Sequence, residues 1–336
     1  MGCDVERGTS NDPLTGVLVD ERLADDERRQ RFLPMDQTFW VHLERGYRRQ
    51  ALNILPRTSD VIGVIGVVHI HKTAGTTLAS VFKGSFGARH CDVLPLDPTS
   101  PHLTPDQLRR MMDRWYPRLD SALGHSLRVY AGLESVVGDI QWVTFLRDPL
   151  ERTASHYQYD VQRGGVELDF DEWITHDVVR DRQTRIIAGP DATGSEAIDL
   201  LGRFSFVGRS DRFDESLVLM QQAVGIPDIR YASKWVAPSN EIKKGLLSDP
   251  VTRAQLGSVN RHDLAVWEHA VAEVFPKQLA EYGPGLDDAV AAFRERNSHM
   301  TRRRQYARPE YAAYVAKWRL GYRPWVRRVT GDPTAG

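Results

Sequence analysis

The sequence predicts an α/β fold, with a central, mainly parallel sheet between flanking layers of helices. Three observations predict it. Residues 61–68 form an apolar, β-branched run, and Leu78, Val81 and Phe82 follow at helical spacing. A second apolar run, Ile140–Leu146, leads directly into a helix-start signal, Asp148-Pro149 with Glu151. Between them, Thr104-Pro105-Asp106-Gln107 caps a further helix. Strands that alternate with helical patterns build parallel sheets.

The chain has 336 residues, 41% apolar and 26% charged, which is the balance of an ordinary globular protein. A net charge of −1 gives no global attraction to nucleic acid, so any polyanion site must be local. Cys3 and Cys91 are the only cysteines, which excludes a disulfide framework or a thiolate zinc cluster. No apolar leader and no run of about 20 apolar residues is present, so neither signal peptide nor membrane span is expected. Together these favour a cytoplasmic location.

Residues 1–57 read as an N-terminal extension. A mixed-charge stretch precedes Phe39, Trp40, Leu43 and Tyr47, whose spacing predicts a docking helix. Residues 58–283 read as the main domain. Its expected elements are a strand and helix at 61–86, a short strand at 91–94, and a proline-rich loop at 95–101. A helix with Leu108, Met111, Met112 and Trp115 on its apolar face follows, then strands at 127–131 and 140–146. Lys234, Lys243, Lys244 and Gly245 are candidates for a loop closing over a ligand. Residues 284–336 form a basic, aromatic segment packed on the domain. Tyr311, Tyr314, Val315 and Trp318 there suit a docked helix, although rings and arginines also suit acidic sugars.

The loop between the first strand and helix carries the chemistry: His71, Lys72, Thr73, Ala74, Gly75, Thr76 and Thr77. Backbone N–H groups, hydroxyls, one ammonium and a helix N-terminus converge on one anion. Gly66, Lys72 and Thr73 match three offsets of a P-loop, but His71 stands where its second glycine belongs. The fold is therefore P-loop-like, and Thr76 and Thr77 read as the helix caps. About 75 residues on, Arg147 ends a strand and Ser155 lies two turns into the next helix. A guanidinium fork joined by a hydroxyl suits a terminal phosphate.

HIHKTAGTT and TFLRDPLERTASHY together resemble the 5′-phosphosulfate and 3′-phosphate segments of sulfotransferases. The nearest likeness is to the carbohydrate enzymes of the heparan sulfate 2-O- and 6-O-type and their bacterial relatives, over roughly residues 60–280. The resemblance implies 3′-phosphoadenosine 5′-phosphosulfate (PAPS) as donor and 3′-phosphoadenosine 5′-phosphate (PAP) as product. It implies a carbohydrate or natural-product hydroxyl as acceptor, and no metal. Lys72 would steady the leaving group, Thr73 to Thr77 would hold the phosphosulfate, and Arg147 and Ser155 the 3′-phosphate. The resembling enzymes carry a base histidine after a glycine at the end of the strand preceding the 3′-phosphate segment. With that strand read at 127–131, Leu133 takes the histidine's place. Glu134 is then the first candidate base, with His125 and His71 next. Two other readings stay open: an ATP-dependent small-molecule kinase, and a non-catalytic glycan- or nucleotide-binding relative.

Overall fold

The computed structural model of the chain describes residues 63–97, 100, 102–165, 167–232 and 239–332. The docking helix expected within 1–57, Cys3 and Lys234 lie outside them. The chain divides into two compact units: 57–158 with 168–335, and 1–56 with 159–167 and 336. The sheet and the candidate site belong to the larger unit.

Five parallel strands form the sheet: β1 (Val64–Val68), β2 (His90–Asp92), β3 (Ser121–Gly124), β4 (Ile140–Leu146) and β5 (Phe204–Arg209), in the order β2-β3-β1-β4-β5. Side chains of β1 alternate between two apolar cores. Val64 and Val68 enter one with Leu133, Trp142 and Tyr322; Ile65 and Val67 enter the other with Phe82, Val143 and Phe206. Burial on both faces is what gives β1 its unbroken apolar sequence. Gly66 is required by its register partner: a Cβ there would fall 2.7 Å from the Trp142 ring.

The helices that carry or support the site are α1 (Gly75–Phe86), α2 (Pro105–Arg114), α3 (Glu134–Val137), α4 (Pro149–Gln162), α5 (Arg182–Ala188), α6 (Glu241–Ser248) and α7 (Arg261–His269). Leu78, Val81 and Phe82 bury one face of α1 as expected. Thr104 caps α2 by accepting from Gln107 N at 3.3 Å, and Asp148 accepts from Glu151 N at 2.9 Å to start α4. At α1 the expected caps are corrected. Ala74, in the left-handed region, holds the cap position with no side-chain bond, and Thr76 and Thr77 lie inside the first turn.

The third strand also differs from expectation. It is Ser121–Gly124 rather than 127–131, whose Leu127 and Val129 are buried in turns. Ser-Ala-Leu-Gly has weak strand propensity, but it is sandwiched between β1 and β2, and that pairing overrides the preference. The second strand stops at Asp92. Leu94 N–H donates to Tyr322 Oη instead of the ladder.

The C-terminal aromatic residues pack inward. Tyr311, Tyr314, Trp318 and Tyr322 are buried, and Tyr314 Oη donates to Asp92 Oδ2 at 2.5 Å, beside the Lys83–Asp92 ion pair. Tyr306 remains exposed. The aromatic stripe is a packing surface rather than an open platform.

Candidate functional site

In the strand order, β1 sends its chain toward β2, while β4 sends its chain to β5 on the other side. This is the switch point at which parallel sheets bind ligands beyond their C-terminal ends. The expected anion loop leaves β1 there, and Arg147 leaves β4.

Within the loop, Lys72 and Ala74 have φ of 67° and 66°. For residues with a Cβ this conformation costs roughly 1 kcal/mol each, a strain that tends to persist at functional loops. Thr73 lies between them, buried, and its hydroxyl donates to Ile70 O at 2.9 Å. Its proton is therefore committed to the loop, leaving the oxygen lone pairs and backbone N–H for a ligand. Thr77 and Leu78 N–H both reach Ala74 O at 3.1 Å. Gly75 and Thr76 N–H precede these first intrahelical donors, at the positive end of the α1 dipole. Thr76 is exposed and Thr77 half-buried. Gly75 is obligatory, because a Cβ there would lie inside the His69 imidazole.

Arg147 touches this loop directly. Its Nη1 donates to Lys72 O at 3.2 Å, and its Nη2 to Glu151 Oε2 at 3.1 Å. Lys243 of α6 reaches the same Glu151 oxygen at 2.8 Å. Burial opposes the Glu151 charge, but Lys243 and Arg147 together hold its carboxyl below the usual range. Glu151 and Ser155 lie one turn apart on α4, Arg147 stands just before that helix, and Ser155 is half-buried. Beside them an open cleft of about 500 Å³ is lined by Glu151, Asn240, Lys243, Lys244, Leu247 and Ser248. Lys243 thus joins the Arg147 corner, while Lys244 lines the cleft.

Four histidines gather at the loop. His125 stacks between His69 and His71, with centroid separations of 4.0 and 3.6 Å, and His156 of α4 lies 6.3 Å from His71. Burial lowers His69 to about 4 and holds His71, His125 and His156 well below their usual value, so all four are neutral near pH 7. His125 Nδ1 lies 2.9 Å from His69 O. A carbonyl only accepts, so Nδ1 carries the proton and Nε2 presents a lone pair. Arg128 Nη1 bonds His125 O and Leu127 O and fixes the turn that holds this ring. His71 Nδ1 is buried and has no hydrogen-bond partner among the described residues. Neither His69 nor His156 was singled out by motif. The signal available was their spacing around the loop and around Ser155.

Glu134 is not brought to this site. Its Oε1 accepts from Trp142 Nε1 at 2.9 Å and from Arg203 Nη2 at 3.1 Å. Trp142 is near the start of β4, and Arg203 precedes β5. Five residues of strand separate Trp142 from Arg147, about 16 Å, so Glu134 lies toward the opposite edge of the sheet. Leu133 is buried in the core beneath β1 and β4. With β3 at Ser121–Gly124, the strand that precedes the Arg147 segment ends in Gly124-His125. The expected strand at 127–131, with Leu133 just past it, is corrected: β3 ends at Gly124 and His125 follows it, while Leu133 packs in the core.

Two segments that carried little chemical meaning in sequence turn out to support Arg147. Gln183 of α5 clamps its backbone, accepting from Arg147 N at 3.0 Å and donating to Arg147 O at 2.9 Å. Asp263 of α7 accepts from Gln183 N and Thr184 N, while Asp181 accepts from His262 N and Asp263 N. Helices α5 and α7 therefore cap one another with exchanged carboxylates.

No protein-family model and no curated protein sequence matches the chain. Among solved structures it is similar to a sulfotransferase from Alicyclobacillus acidocaldarius, at 12% identity and a TM-score of 0.31, over 62% of this chain and 99% of that one. Among the described residues, no helix is long and apolar enough to cross a membrane.

Proposed function

We propose that the chain is a sulfotransferase that takes a sulfuryl group from PAPS to a hydroxyl on a carbohydrate or natural-product acceptor, with His125 as general base. One observation carries the reading: Arg147 donates to the carbonyl of Lys72, so the two anion-binding segments lie side by side at the switch point. A donor with phosphate groups on both the 3′ and the 5′ oxygens of its ribose needs two such segments; ATP, phosphorylated at the 5′ position alone, needs only one.

The residues present fit that donor. The Lys72–Thr77 loop offers backbone donors and a helix N-terminus to the phosphosulfate, and Arg147 with Ser155 and Lys243 meets the 3′-phosphate. The donor supplies an activated sulfuryl group, transferred in line through a loose transition state in which positioning and charge stabilisation dominate. His125 Nε2 takes the acceptor's hydroxyl proton as the new oxygen–sulfur bond forms. Lys72 neutralises the charge that collects on the phosphate oxygen as the old bond breaks. A polyanionic donor alongside His125 favours its protonated form and offsets the depression caused by burial.

Calorimetry with PAP against ATP and ADP tests the donor, followed by transfer of ³⁵S from labelled PAPS to a panel of glycan and small-molecule acceptors. The reading expects PAP to bind far more tightly than ATP. Preference for ATP would overturn it, and tight PAP binding with no transfer would favour a non-catalytic relative.

A further inference from the structure

One carboxylate in the Arg147 corner bridges the two cations that the proposed function assigns to a phosphate. Glu151 Oε2 accepts from Arg147 Nη2 at 3.1 Å and from Lys243 Nζ at 2.8 Å, so a single oxygen joins them. Both cations are also held from elsewhere. Gln183 clamps the Arg147 backbone through its N–H and its carbonyl, and Arg147 Nη1 donates to Lys72 O. Lys243 N donates to Gln158 Oε1 at 3.1 Å, and Gln158 Nε2 donates to Asn240 Oδ1 at 3.4 Å. Gln158 is buried, so it pins the start of α6 to α4 without help from the ion pair. Glu151 is therefore the removable member of the group. Its side chain is 40% exposed, against 23% for Arg147 and 20% for Lys243. It also lines the open cleft of about 500 Å³, which gives the carboxylate room to turn away. Ion pairs this exposed are weak, and a phosphate dianion brings the same donors twice the charge.

We propose that Glu151 is a stand-in for the donor's 3′-phosphate: it neutralises Arg147 and Lys243 between turnovers, and the phosphate exchanges with it by turning the carboxylate into the cleft. A 3′-hydroxyl brings no charge to replace the carboxylate, so the exchange selects 3′-phosphorylated nucleotides. The returning carboxylate competes with PAP for the same two cations and so promotes its release. The identity of the incoming group rests on the donor reading. The exchange itself rests on the shared oxygen and on the separate anchoring of the two cations.

Calorimetry on the full chain compares wild type with Glu151→Gln. The substitution should tighten PAP about three- to tenfold, and leave adenosine 5′-phosphosulfate, with its free 3′-hydroxyl, within about twofold of wild type. Glu241→Gln removes an equal charge from the exposed first turn of α6 and should bind PAP like wild type. Inorganic phosphate is the third probe, and its binding should also gain from Glu151→Gln. Where wild type binds PAP, weaker or unchanged PAP binding by Glu151→Gln overturns the exchange and makes the carboxylate a brace for the two cations. An equal gain for both nucleotides, or the same gain from Glu241→Gln, overturns it as well, since the effect is then one of net charge. If wild type binds PAP no better than ATP while phosphate still gains from Glu151→Gln, the donor reading fails and the exchange stands. If phosphate gains nothing either, both fail.

Discussion

The imidazole of His125 lies flat on that of His71, with ring centroids 3.6 Å apart and planes 7° from parallel. His71 leaves β1 and His125 leaves β3, which are adjacent parallel strands, so the two loops rise side by side. With Nδ1 bonded to His69 O, the ring can turn only its other nitrogen to a substrate. That relationship makes His125, rather than Glu134, the group to test.

His125→Ala should lower the rate of sulfuryl transfer by about 10²–10⁴-fold, the usual worth of a general base. PAP affinity should change little. Glu134→Gln should leave the rate unchanged, because its carboxylate is engaged with Trp142 and Arg203. Single-turnover transfer measures both, and a normal rate in His125→Ala removes it from the chemistry.

Lys72→Ala should reduce transfer by roughly 10²–10³-fold while the far-ultraviolet spectrum and melting temperature stay near wild type. The fold should tolerate the loss, since the loop is anchored by Thr73 and by the packing of His69 on Gly75. Retained activity would refute the leaving-group role.

Arg147→Ala should weaken PAP by about 10–100-fold and adenosine 5′-phosphosulfate, which lacks the 3′-phosphate, much less. Calorimetry with the two nucleotides compares them. Equal losses would mean that Arg147 serves only to tie its loop to Lys72.

Gly75→Ala should cost about 1–3 kcal/mol of stability, because the new methyl displaces the His69 ring. Urea midpoints measure that cost. The same displacement disturbs the stack on which His125 rests, so transfer should fall further than stability alone explains. A variant with a wild-type midpoint would show that the ring moves aside freely.

Acid should destabilise the protein earlier than ordinary carboxylate titration predicts. His69 has a folded value of about 4 against 6.5 when unfolded, so below pH 6.5 the unfolded chain binds more protons. The stability it contributes is complete above pH 6.5 and is lost as pH falls toward 4, on the order of 3 kcal/mol. His71, His125 and His156 act in the same direction. Urea midpoints between pH 7.5 and 5 measure the slope, and a flat profile would mean that the histidines are hydrated in solution.

Local chemistry was readable from the sequence alone. Thr104 and Asp148 cap helices, Leu78, Val81 and Phe82 face a core, and the Lys72 loop and Arg147 stand at strand ends, because each depends on neighbours a few residues away. The tertiary structure alone decided the third strand. Ser121–Gly124 has little intrinsic preference to be extended, and it becomes a strand because β1 and β2 hydrogen-bond it from both sides. That shift determined which residue follows the strand, turning attention from Leu133 and Glu134 to His125. It also decided the tautomer of His125, which depends on a carbonyl brought to it from a distant part of the chain.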